Sequence, residues 1–464
     1  MLRSHRISGW DPEDRAAWEA GNKDIARRNL ICSVVAEHLG FSIWSIWSVM
    51  ALFMPQAIYG FSTADKFLLG ATAALVGGCL RIPYTLATAT FGGRNWTTFS
   101  AFVLMVPTVG TVWLLAHPGM PLWPYLVCAA LVGLGGGNFA SSMTNINAFY
   151  PHRLKGWALG INAGGGNIGV AVIQLVGLLA IAVAGNSAPY WVCAIYLVLL
   201  AIAGIGAALF MDNLDQHRID VTAMRSILSV RDTWAISLLY IGTFGSFIGF
   251  SFAFGQVLQI NFVEAGQSAA QASLHAAQLA FIGPLLGSVS RVFGGRLADR
   301  IGGGRVTLAI FAMMVPPTVL LAAAGSYDDA PDNVESVTMA GYVIGFAALF
   351  MLSGIGNGSV YKMIPSIFEA RSRSLGVSEP ERQRWSQAMS GALIGFAGAI
   401  GALGGVGINL ILRQSYLSSG SATAAFRVFT VYYVAALVLT WTIYVRRPVS
   451  ARVVSKSEPE SALA

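Results

Sequence analysis

The sequence predicts an all-α polytopic membrane protein with twelve transmembrane helices in two pseudo-symmetric six-helix bundles. Three observations carry this. Apolar runs long enough to cross a bilayer recur along nearly the whole chain. The chain is 55% hydrophobic and only 11% charged, whereas soluble domains are about a quarter charged. The runs do not alternate polar and apolar residues as the strands of a membrane barrel would.

Residues 1–28 form a polar arm without the apolar core of a signal peptide. Within it Asp11-Pro12 reads as a helix start, with Asp11 as N-cap. Twelve spans follow at 29–53, 66–90, 96–116, 122–149, 156–184, 189–210, 233–260, 275–297, 304–324, 338–368, 385–412 and 424–445. Several exceed the ~20 residues needed, which permits tilt. The longest polar stretch between them, 211–232, is a linker, so 29–210 and 233–445 are the two bundles and 446–464 is a tail.

The basic residues give an orientation. Of 29 lysines and arginines, only Lys66, Arg413 and Arg427 fall on the side opposite the termini, and Arg81, Arg291 and Lys362 lie inside spans. By the positive-inside rule both termini are cytoplasmic and the chain sits in the inner (cytoplasmic) membrane. The opposite loop 325–337 is acidic, with Asp328, Asp329, Asp332 and Glu335. The basic residues cluster in loops between spans, so the net charge of +7 is not a nucleic-acid signal. The four cysteines sit in apolar runs as small core residues, and no metal-ligand spacing occurs. No cofactor is expected.

Two arginines stand out. Arg81 lies in GGCLRIPYTLATATFGGRN and Arg291 in GSVSRVFGGRLADRIGGGR, each eleven positions before a glycine (Gly92, Gly302). Eleven helical residues rise roughly 16 Å, about half the ~30 Å hydrocarbon core. A charge at mid-membrane is costly and marks a functional candidate. Two at matching places point to one site for an anion; the bland alternative is a snorkelling or ion-paired structural arginine. Other features also repeat. GGGN ending at Asn138 echoes GIGN ending at Asn357, with Phe149 and Phe368 following at the same interval. Gly164, Gly166 and Gly169 in the fifth span and Gly401 and Gly404 in the eleventh form glycine-rich packing stretches. Internal repeats of this kind build many transporters, with the site at their interface.

GGRLADRIGGGR resembles the loop signature of the major facilitator superfamily through Gly295, Asp299, Arg300 and Gly302. The first-half equivalent, FGGRNW, is degraded. Over almost the whole chain the likeness tightens to the nitrate/nitrite porter family of NarK type. It rests on WDPED, RRNL, LRIPYTLATATFGGRNW, GGNFASSMTNINAFYP, GINAGGGNIGVAVIQL and LLYIGTFGSFIGFS. The resemblance implies the major facilitator fold, nitrate and nitrite as substrates, and a monomeric carrier. It implies that Arg81 and Arg291 bind the anion, that Phe139, Tyr240 and Phe244 wall the site, and that Asn167 lines it. Ala163 and Gly398 depart from the family's fifth- and eleventh-span motifs, which bears on selectivity and removes no charge.

A second ionisable set complicates the picture. Glu37 is the carboxylate well inside an apolar run, and Lys362 lies at similar depth in the tenth span. They form a candidate ion pair, either structural or coupling the anion to a proton. Nitrate–proton symport and nitrate/nitrite exchange both stay open at this point. An enzyme is disfavoured, because no nucleophile, base or ligand cluster converges in the spans. A sensor with a transporter fold would carry a larger soluble domain than the arm or tail. The nearest rival is a carrier of another small monovalent anion.

Overall fold

The computed structural model describes residues 5–184, 189–215, 221–330 and 336–446. Part of the linker (216–220), Asp332 and Glu335 of the acidic loop, and all of the tail beyond residue 446 lie outside the described residues. Among the described residues ten helices are long and apolar enough to cross a membrane, and two bent pairs raise this to twelve. Span one is Arg15–Trp44 with Ile46–Phe53, bent by 42°, and span two is Thr63–Cys79 with Arg81–Phe91, bent by 41°. Spans three to six are Gly93–Ala116, Leu122–Phe149, His152–Ala184 and Tyr190–Phe210. Spans seven to twelve are Arg231–Glu264, Ala269–Ile301, Gly303–Asp328, Thr338–Ser372, Glu381–Ser419 and Thr423–Val445. Each overlaps one of the twelve apolar runs, and several extend well past it.

Proline accounts for three of the helix breaks, though not for the 42° bend of span one at Ser45. Breaks fall at Leu80, Leu104 and Phe281, each three residues before a proline (Pro83, Pro107, Pro284). A helical proline has no N–H for the carbonyl four residues back, and its ring crowds that carbonyl. The first break sets Arg81 at the head of the second half of span two. Spans two and eight then end alike. Gly92 (φ 87°, ψ 149°) and Gly302 (φ 93°, ψ 133°) close them in the same left-handed conformation, which a side chain resists. The eleven-residue interval from each arginine is thus the distance to a matched helix end.

Small residues let the helices cross closely. A Cβ on Gly169 would lie 2.2 Å from the His38 carbonyl oxygen, and one on Gly166 would lie 2.2 Å from Glu37 Oε1, so spans one and five touch there. Gly401 gives room to the Tyr240 ring, and Gly404 meets Gly245 backbone to backbone, so spans seven and eleven touch. Gly164 is a correction to the packing stretch: no described atom lies within 4 Å of where its Cβ would be. It faces away from the crossing that its neighbours make.

The arm is more structured than its polarity suggests. Its helix runs into span one without a boundary at residue 29. The N-cap is Asp14, whose carboxylate accepts from the Ala16 and Ala17 N–H groups, instead of the expected Asp11. Asp11 accepts from Glu13 N–H instead, in the turn before the helix. Arg6–Ile7 pairs in parallel with Asn213–Leu214 at the end of span six. Arg28 Nη2 donates to buried Asp212 at 2.6 Å, and Asn29 Nδ2 adds 3.3 Å. Trp18, Leu30, Phe149 and Tyr150 make a small second core beneath the arm.

The two halves meet most firmly at the end away from the arm. Gln259 Nε2 and Ser273 Oγ donate to the Leu52 carbonyl at 3.0 and 2.8 Å. Gln174 Nε2 donates to the Ser251 carbonyl at 2.9 Å. Phe67 stacks on Tyr416 with centroids 5.4 Å apart. Toward the arm, by contrast, a cavity opens between the halves, lined by Arg81, Thr85, Met143, Asn147, Met224 and Gln387 among others.

Replacing Gly404 by leucine should overpack the contact with Gly245, whose Cα would lie 2.7 Å from the new Cβ. The expected cost is about 1–3 kcal/mol, read as a lower thermal-unfolding midpoint in detergent. Unchanged melting would contradict this packing.

Candidate anion-binding site

The bend at Leu80 and the arm-side cavity converge on Arg81. Its side chain is 1% exposed. Nη1 donates to the Gly398 carbonyl of span eleven at 2.8 Å. Nε and Nη2 are buried without a hydrogen-bond partner among the described residues. No salt bridge to it occurs among those residues. A buried guanidinium with idle donors costs several kcal/mol unless something takes them.

Aromatic faces meet part of that cost. The Arg81 guanidinium carbon lies 4.6 Å from the Phe139 centroid and 4.7 Å from that of Phe244. Trp44 and Phe41 stand further out at 5.8 and 6.0 Å. Each cation–π contact contributes about 0.5–2 kcal/mol. A ring face offers no lone pair, so the N–H donors stay available in the guanidinium plane.

Arg291 comes to the same place from span eight. Its guanidinium carbon is 5.9 Å from the Phe139 centroid and 5.4 Å from Tyr361. Nη1 is buried and lacks a partner among the described residues. Phe139 therefore serves both arginines, and their separation is at most the sum of the two ring distances. The remaining wall is one aromatic array. Tyr240 stacks on Phe244 at 5.2 Å and 7°, and Tyr361 meets Tyr240 edge-on at 4.6 Å.

The structure thus brings Arg81, Arg291, Phe139, Tyr240 and Phe244 together. Asn167 is wholly buried, with neither amide atom partnered among the described residues. It is not among the residues lining the arm-side cavity.

The expected pairing of Glu37 with Lys362 is a correction. Lys362 Nζ lies 2.9 Å from Asp299, both about half exposed, so it belongs with the loop motif after span eight. Glu37 is fully buried and its Oε2 accepts from Ser142 Oγ and, at 2.6 Å, from Asn162 Nδ2. Similar depth does not fix which way a side chain points. In span ten it is Tyr361 that turns to the arginines, and its neighbour Lys362 points elsewhere.

Four contributors were not legible in advance: Phe41, Trp44, Tyr361 and the Gly398 carbonyl. A signal existed for Tyr361. It stands four residues after Asn357, as Ser142 stands four after Asn138, so both lie on the same relative helix face. Within the loop motif, Arg300 is exposed, and Gly295 sits 3.9 Å (from its would-be Cβ) from the Lys362 stem. No group of three or more metal-ligating side chains occurs among the described residues.

Two guanidinium groups with unpartnered, planar donors against flat rings have the donor geometry that a small anion asks for. Comparison with known proteins gives the family. The Major Facilitator Superfamily model matches residues 31–379. The chain is 36% identical over 470 residues to the nitrate/nitrite transporter NarU of Escherichia coli (strain K12), covering 96% of this chain and 97% of the relative. It is 32% identical over 468 residues to the probable nitrate/nitrite antiporter NarK2 of Thermus thermophilus, covering 96% and 99%. Among solved structures, the D-xylose-proton symporter superposes with TM-score 0.64 at 13% identity, covering 90% of this chain and 97% of that one. The nucleoside transporter NupG gives 0.57 at 12%, covering 89% and 98%. At such low identity these two show the fold alone. The chain belongs to the nitrate/nitrite porter family of the major facilitator superfamily.

Proposed function

We propose that this chain carries nitrate and nitrite across the cytoplasmic membrane by alternating access, with the anion held between Arg81 and Arg291. The observation that carries this reading is the set of idle buried donors, Arg81 Nε and Nη2 and Arg291 Nη1, around the shared Phe139 ring. Nitrate is planar and singly negative. Two planar guanidinium forks can hold its oxygens while Phe139 and Phe244 face its plane. Nitrite has the same charge and a similar size, so both ions fit. Phosphate asks for more donors than this pair supplies. Tyr240 completes the wall, and Asn167 approaches the ion in another state of the cycle.

The two halves, 29–210 and 233–445, rock about the site. The arrangement with its far end sealed and its arm-side cavity open corresponds to the state facing the cytoplasm, with both termini on that side, as the basic loops support. The loop motif of Gly295, Asp299, Arg300 and Gly302, tied to Lys362, takes part in that rocking at the cytoplasmic surface. The carrier works as a monomer in the bilayer. Empty, the site keeps two like charges. At ~7 Å and an effective dielectric of ~20 their repulsion is roughly 2–3 kcal/mol, which opposes closure unless a negative charge lies close by.

Arg81→Lys and Arg291→Lys keep the charge and lose the fork. Each should lower nitrate uptake into proteoliposomes by about 10–100-fold, the worth of a charge-assisted hydrogen bond. Uptake at wild-type rates would overturn the site. Nitrite should compete with labelled nitrate at comparable concentrations, while phosphate and acetate should not. Equal competition by acetate would point to a general monovalent-anion carrier.

A further inference from the structure

The polar cluster beside the anion site has no part in holding the ion, yet it is buried and incomplete. Glu37 Oε2 takes donors from Ser142 and Asn162, and Asn162 Nδ2 also lies 2.7 Å from Ser142 Oγ. Glu37 Oε1 is buried without a partner among the described residues. Ser142 sits one turn from Phe139 on span four and bonds the Phe139 carbonyl at 3.2 Å. The carboxyl is therefore one helical turn from the ring that both arginines share. The charged groups acting on it are Arg291 from span eight and Arg81 from span two, while spans four and five present neutral Ser142 and Asn162. On its own helix, His38 turns to the Gly165 carbonyl at 3.1 Å instead.

We propose that Glu37, seated by Ser142 and Asn162, is the proton-binding site that couples nitrate to a proton in this carrier. This rests on the anion site proposed above. The argument is one of charge. Two arginines with an ionised Glu37 and no anion leave one net positive charge. Two arginines with nitrate and a protonated Glu37 leave the same one. The ionised carboxylate thus stands in for the anion in the empty carrier, and removes the barrier that would confine a bare arginine pair to exchange. When nitrate binds, two anions would compete for the pair in a dry site, and Oε1 would stay an unpartnered charged oxygen. A proton on Glu37 relieves both. Anion and proton therefore bind together, each more tightly in the presence of the other. Reorientation with both aboard, then return with neither, moves one proton with each nitrate and no net charge. Lys362 has no part in this, since Asp299 holds it.

The test uses the full-length carrier, purified and reconstituted. Wild type should accumulate nitrate when an inward proton gradient is imposed, and should also exchange internal for external nitrate. Glu37→Gln should keep exchange and lose the gradient-driven accumulation, falling to the level seen with the gradient dissipated. If wild type does not exchange nitrate at all, the transport reading fails. If Glu37→Gln exchanges and still accumulates nitrate under the gradient as wild type does, the proton assignment fails. A second measurement covers a variant that does not fold. Nitrate affinity of the wild-type protein in detergent should weaken with rising pH, approaching about tenfold per pH unit once Glu37 ionises in the free carrier. Wild-type affinity that stays flat across the range would overturn the proposal whatever the variant does.

Discussion

Two guanidinium groups held in a low-dielectric interior, with donors that the protein leaves idle, are the constraint on which the rest of the structure depends. Either alone is expensive to bury, and together they repel. The fold meets this with ring faces in contact and, among the described residues, no salt bridge to either arginine. Phe139 and Phe244 lie near 4.6–4.7 Å from Arg81, which eases the burial and leaves the planar N–H edges uncommitted. A salt bridge would have stabilised the pair and filled the site. An aromatic wall stabilises it and leaves the donors open, as the proposed anion site requires.

Much of the backbone serves this placement. Pro83 bends span two just before Arg81, and Gly92 and Gly302 end the two arginine helices in the same conformation. Gly166 and Gly169 bring span one against span five, so that Glu37 reaches Asn162 and, on span four, Ser142. Gly401 and Gly404 do the same for spans seven and eleven, which seats Tyr240 against Gly401, one turn from the Gly398 whose carbonyl anchors Arg81. The hydrogen bonds to the Leu52 carbonyl close the far end while the cavity below Arg81 stays open. The glycines and prolines therefore act on function through geometry, by fixing where a few polar atoms meet.

The spans were legible because a bilayer demands long apolar runs, and each of the twelve has its helix. The arginine pair was legible because a charge in such a run is rare and costly. Direction around a helix was not. Glu37 and Lys362 matched in depth, but their neighbours decide their partners: Asp299 for Lys362, and Ser142 with Asn162 for Glu37. Phe41, Trp44 and Tyr361 were hidden for a different reason. Aromatic residues fill membrane helices everywhere, so nothing in their spacing marks the few that face a cation. The arm's pairing of Arg6–Ile7 with Asn213–Leu214 is two residues long and leaves no periodic trace. Asp212, buried against Arg28, looked like an ordinary linker charge.

Buried donors without a protein partner are a specific claim about the site, and it can be checked directly. A crystal structure of the protein with nitrate bound is the most direct measurement. The account predicts the ion within hydrogen-bonding distance of Arg81 and Arg291 together, its plane facing the Phe139 ring. Nitrate ordered elsewhere, for instance at Lys362 or at the cytoplasmic mouth of the cavity, with the two arginines still unoccupied, would contradict it.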